Sequence, residues 1–112
     1  MTLAEATFAF GQRVRAIRKE KRLASSEIAE AVDIEVKHLG RIERGEKRPS
    51  FELIVGLADA LQVPLIRLFD FESGTSDPTA AKRRIVGQLA GRDLSQLNKA
   101  AAVLEILFAS TR

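Results

Sequence analysis

Cysteine is absent from the 112 residues, and so are tryptophan and tyrosine. Without thiols there is no disulfide, no zinc–thiolate site and no thiol nucleophile. A single histidine, His38, cannot build a histidine metal cluster. Long apolar runs are missing too. The longest, such as Ala100–Leu104 and Ile106–Ala109, fall far below the roughly 18 residues of a membrane span. The N-terminus has no basic segment followed by a long apolar stretch, so it does not read as a secretory signal. There is no histidine pair and no glycine-rich phosphate loop, and acidic residues alone establish no catalytic site. These absences predict an intracellular protein that is not an enzyme and needs no metal or cofactor.

What remains is a balanced, globular composition of 46% hydrophobic and 29% charged residues, long enough for about one domain. The net charge is only +3. Up to Asp70 there are 12 basic and 11 acidic residues, with 6 and 4 beyond it. So thin an excess identifies no partner by itself; what matters is where the charges sit.

Strand alternation is also lacking, and helical spacing dominates. Thr2 and Glu5 have capping-box spacing ahead of a long helix expected over about Leu3–Arg22. Phe10, Val14 and Ile17 recur on one side of it, and Arg15, Arg18, Lys19 and Arg22 on the other. Further helices are expected at about Ser25–Val32 and Glu35–Arg44, the latter ended by Gly45 as a left-handed cap. Ser50 is suited to cap a fourth helix through Leu61, and Val63-Pro64 restarts a short fifth. Phe8, Phe10, Phe51 and Phe69 are core candidates. Gly, Ser, Asp and Pro then cluster over residues 72–78, the one credible linker. Two more helical stretches follow at about Thr79–Ala90 and Leu94–Ser110. The expected fold is all-α: a five-helix body over residues 1–71 and a C-terminal helical hairpin or tail over 79–112.

The informative stretch is Leu23–Gly45, LASSEIAEAVDIEVKHLGRIERG. Two short helices meet at a tight turn near Val32-Asp33-Ile34, and Asp33 tolerates a left-handed backbone better than most residues. On a wheel of about 100° per residue with Leu39 at zero, Ile42 falls near 300°, while Arg44, Lys37 and Arg41 fall near 140°, 160° and 200°. The three cations therefore oppose the buried edge. A rigid helix with such a face has the shape and sign to enter a DNA major groove.

Phe10-Gly11-Gln12-Arg13-Val14-Arg15 onward, Arg41-Ile42-Glu43-Arg44-Gly45, the basic Glu46-Lys47-Arg48-Pro49-Ser50 loop and Leu57-Ala58-Asp59-Ala60-Leu61 together resemble the lambda-repressor/Cro-type (XRE) helix-turn-helix family. The resemblance runs from about Phe10 to Phe69. It implies a five-helix DNA-binding domain with Ser25 and Ser26 opening the second helix near DNA. Val36, Lys37 and Arg41 are then at base-facing positions, and Arg44, Lys47 and Arg48 at the phosphate backbone. It also implies a structural pair between Arg18 and Glu43. His38, beside this surface, reads as solvated or grazing a phosphate. The chain departs from the family pattern at Ala24 and Glu35, where hydroxyl caps are usual, at Ser25 in place of a glutamine, and at Gly40 inside the recognition helix. Of the cap at Ala24, the alternatives are loss or a shift to Ser25.

Two basic groups have plainer readings. Arg13, Arg15, Arg18, Lys19, Lys21 and Arg22 also suit a solvated helix face, and Lys82-Arg83-Arg84 a solvated helix start. The last apolar stripe, Leu94, Leu97, Ala101, Leu104, Leu107 and Phe108, either folds back on the body or pairs with a second copy. Its polar positions lack the Lys/Arg richness of a membrane-surface helix. Pairing is preferred, because dimers of this motif bind two half-sites about one DNA turn apart. The resulting expectation is a cytoplasmic, nucleoid-associated prokaryotic regulator, more a repressor than an activator. It binds double-stranded DNA as a homodimer on an inverted repeat. The alternative is a protein-binding module of the same fold, an antitoxin or antiactivator with weak or no DNA binding.

Overall fold

A computed structural model describes residues 2–71 and 76–109. Among these the secondary structure is helical: α1 (Leu3–Glu20), α2 (Ser25–Ala31), α3 (Val36–Glu43), α4 (Phe51–Leu61), a 3-10 helix (Leu65–Phe69), α5 (Pro78–Leu89) and α6 (Leu94–Ala109). The chain divides into two units, Met1–Phe71 and Glu72–Arg112. Residues 72–75 of the expected linker, and Ser110 of the expected last helix, lie outside the described residues.

Helix starts follow from side-chain capping. The Thr2 hydroxyl accepts the Glu5 N–H at 3.1 Å, and the Ser50 hydroxyl accepts the Leu53 N–H at 3.1 Å. At α2 the cap does not shift to Ser25. Ala24 occupies the N-cap, and its backbone N–H donates to the Glu27 carboxylate at 3.1 Å, so half a capping box survives without the hydroxyl.

The ends of α1 to α4 share one device. After α1, Arg22 turns left-handed (φ 58°), and the Leu23 N–H reaches the Arg18 carbonyl at 3.0 Å. This ends α1 at Glu20, two residues short of the expected Arg22. Asp33 after α2 (φ 57°) and Gly45 after α3 (φ 76°) repeat the arrangement, with Ile34 N–H on Ala29 O and Glu46 N–H on Arg41 O, both at 2.9 Å. Gln62 closes α4 the same way, the Val63 N–H reaching Ala58 O at 3.1 Å. Each closure satisfies carbonyls that a helix end leaves open.

The core of the first unit gathers Phe10, Val14 and Ile17 from α1, Ile28 and Ala29 from α2, Leu39 and Ile42 from α3, Leu57, Ala58 and Leu61 from α4, and Leu65 and Leu68. Phe69 stacks obliquely on Phe10, ring centroids 5.5 Å apart. Phe8 and Phe51 are not core residues: both are exposed. Two residues turn a helix by about 200°, which carries Phe8 to the side opposite Phe10. Phe51 is the first residue of α4 and overhangs its end. Arg13 is half-buried rather than solvated; its Nε donates to the Arg67 carbonyl at 2.9 Å and ties α1 to the 3-10 helix.

The tightest packing joins α1 to α3. A Cβ on Gly11 would lie 2.1 Å from the Ile42 carbonyl oxygen and 2.8 Å from that of Glu43, so the two backbones meet with no room for a methyl. In the second unit the position is reversed. No residue of α5 or α6 is buried, and Ile85, Val86, Leu94, Val103, Leu104, Ile106 and Phe108 are exposed.

Gly11→Ala forces one backbone off another. Its expected cost is about 3 kcal/mol, the upper end for overpacking. Urea unfolding of the full chain should lose midpoint accordingly; an unchanged midpoint would contradict the described crossing.

Candidate nucleic-acid interface

The turn between α2 and α3 is closed by Asp33, and α3 starts at Val36 with Glu35 as N-cap. Leu39, Ile42 and Glu43 are its buried residues. Among described residues Glu43 is the buried charged side chain, and its partner comes from α1. Arg18 Nε donates to Glu43 Oε2 at 2.8 Å, Nη2 to Oε1 at 3.0 Å, and Nη1 to the Leu23 carbonyl at 3.0 Å. This fork fills both carboxylate oxygens and closes the end of α1 in one contact. The hydrogen bonds that Arg18 donates to Glu43, opposed by burial and helped by the carboxylate's charge, raise the Arg18 pKa above the ordinary value.

With that edge fixed, the opposite face of α3 is open. Val36 is 49% exposed, and Lys37 and Arg41 are exposed. Among described residues neither cation has an intramolecular hydrogen bond or ion pair, and the same holds for Lys47 and Arg48 in the following loop. Arg44, at the C-cap, pairs through its Nε with Glu46. Ser26 is exposed and Ser25 half-buried at the head of α2. Ser25 shares a groove of about 460 Å³ with Arg15, Val36, Lys37, Gly40 and Arg44, above the Arg18–Glu43 pair. His38 is turned elsewhere, into a cleft of about 620 Å³ lined by the α4 cap Ser50 and by Leu53 and Gly56 of α4.

Arg15 lines the Ser25 groove rather than standing only on a solvated helix face. It stands one turn before Arg18, the residue that reaches α3, and that i, i+3 spacing was the available signal. Arg18 itself and Lys21, which donates to the Gln62 carbonyl at 3.2 Å, have structural bonds instead. The result is a convex cationic helix face beside a concave basic groove. Such a surface suits a polyanion with both a backbone and readable edges.

The matches to known proteins concentrate on this region. A helix-turn-helix family model matches residues 14–68. Over 54 residues the chain is 43% identical to an uncharacterized HTH-type transcriptional regulator, YazB, of Bacillus subtilis strain 168, spanning 48% of this chain and 78% of that one. The chain belongs to the XRE-type helix-turn-helix family. The family is one of DNA-binding transcriptional regulators and is not an enzyme class. It is also 38% identical over 53 residues to the immunity repressor protein of Bacillus phage phi105, covering 47% of this chain but only 37% of the repressor. Among solved structures, the restriction-modification controller protein C.AhdI of Aeromonas hydrophila superposes with a TM-score of 0.55 at 33% identity. That likeness covers 56% of this chain and 96% of C.AhdI. No helix among the described residues of this XRE-type regulator is long and apolar enough to cross a membrane.

Arg18→Ala strands the buried Glu43 carboxylate and should cost roughly 3–5 kcal/mol of folding stability. Arg18→Met combined with Glu43→Leu removes both charges and should recover much of that loss. Denaturant melts of the three proteins check this; a double variant no better than the single would contradict the pairing.

Proposed function

We propose that this XRE-type regulator is a sequence-specific repressor that binds an inverted-repeat operator as a homodimer, in the cytoplasm on nucleoid DNA. The observation that carries the reading is the outward face of α3, with Val36 exposed and Lys37 and Arg41 free of polar partners among the described residues. In the major groove, Lys37 and Arg41 donate to guanine O6 and N7, and Val36 packs on a thymine methyl. Lys47 and Arg48, with Arg44 and the α2 serines Ser25 and Ser26, hold phosphates and set register. His38 has the weaker case for a phosphate contact, since it lines the α4 cleft. The name of the phage relative, an immunity repressor, supports repression over activation.

Dimerisation falls to α6 through Leu94, Leu97, Ala101, Leu104, Leu107 and Phe108. On a wheel these span about 140° of the helix, with Lys99 opposite and Glu105 at the rim beside Leu94. With no buried residue in either of its helices, a unit of about 40 residues or fewer needs a partner to stay folded. A second copy satisfies this and supplies the second recognition helix.

Selection from random duplex DNA tests the reading: a palindrome should be enriched. Arg41→Ala should weaken binding to it by about 1–3 kcal/mol and relax one base position per half-site. Lys47→Ala should weaken all duplexes alike and lower the salt slope by about one. Leu104→Asp should shift the protein to monomer in sedimentation equilibrium and weaken operator binding. Equal, salt-insensitive affinity for every duplex would overturn the proposal.

A further inference from the structure

The outward arc of α3 has one position without a side chain. Gly40 lies on it between Val36 and Lys37, at a helix-interior site where glycine is disfavoured. The room it leaves is occupied from the end of the helix. A Cβ at Gly40 would meet the Arg44 guanidinium, with Nη1 at 3.0 Å, Cζ at 3.8 Å and Nη2 at 3.9 Å. Arg44 therefore folds back along α3, the direction long helical side chains prefer, and Glu46 anchors it by Nε. The hydrogen bond to Glu46 uses Nε, and among the described residues Nη1 and Nη2 make none.

We propose that Gly40 is a specificity-determining position: its missing side chain lets Arg44 address a guanine edge rather than a phosphate. The inference rests on the DNA-reading role above and revises the part played by Arg44 within it. Recognition helices reach bases with their N-terminal residues, and a C-cap residue sits at the wrong end. Folding back over four residues returns the guanidinium by about 6 Å, one turn toward the groove-facing half. Its two terminal nitrogens then form the fork that fits guanine O6 and N7. Glu46 is the positioning residue, holding Nε while the fork faces outward.

Random-duplex selection with the full-length wild type, Gly40→Ala and Arg44→Lys tests this. The alanine methyl meets only the far end of a flexible side chain, so Gly40→Ala should melt at or above the wild-type temperature. Arg44→Lys keeps the charge but not the fork. The expected result is a wild-type motif with one guanine per half-site that both variants lose. Each variant should bind the wild-type sequence about tenfold more weakly. A variant that folds and retains the complete motif overturns the inference and leaves the DNA-reading role standing. A wild type that enriches no motif overturns both.

Discussion

The contact between α1 and α3 governs the functional surface. Gly11 and Arg18 are seven residues apart, two turns of one helix stripe, and both face α3. At Gly11 backbone meets backbone; at Arg18 a guanidinium grips Glu43 by both oxygens. Because Leu39, Ile42 and Glu43 are committed to this side, the remaining arc of an eight-residue helix has only one direction to face. The exposure of Val36, Lys37 and Arg41 is thus a consequence of packing on the far side. A buried ion pair contributes little net stability, since desolvation offsets attraction. Its value here is geometric: the carboxylate is satisfied in one rotation of α3 and stranded in others.

That geometry explains how a net charge of only +3 is compatible with a polyanion partner. Several cations are taken up internally. Arg13 binds the Arg67 carbonyl, Arg18 binds Glu43, and Lys21 binds the Gln62 carbonyl. Among the described residues Lys37 and Arg41 on α3, and Lys47 and Arg48 in the loop after it, are exposed and make no hydrogen bond or ion pair. Local concentration, not total charge, sets the field a phosphate meets.

Much of the body was legible because its signals are local. Thr2 and Ser50 announce helix starts, Gly45 announces an end, and three- and four-residue spacing picks out Phe10, Val14, Ile17, Leu39 and Ile42. The Arg18–Glu43 pair was reachable only through family resemblance, since nothing in composition links residues 25 apart. Other features depend on tertiary context. Arg22 and Gln62 adopt left-handed closures with no sequence mark, and Gly11 resembles any helix glycine until α3 lies across it. Hydrophobicity alone suggests Phe8 for the core, and only its angle on the wheel, about 200° from Phe10, places it outside. The Arg44 path over Gly40 has the i, i+4 spacing of a helix stripe, but the anchoring of Nε by Glu46 appears only in the folded loop.

The most direct test of the account is backbone and side-chain NMR shift mapping of the full chain titrated with a duplex enriched from random sequence. The account predicts the largest shifts at Val36, Lys37 and Arg41 and through the Arg44–Arg48 loop, with the Arg18 side-chain signals still those of a guanidinium bound to Glu43. Largest shifts on the α4 cleft around His38 and Leu53, with Lys37 and Arg41 unmoved, would contradict it.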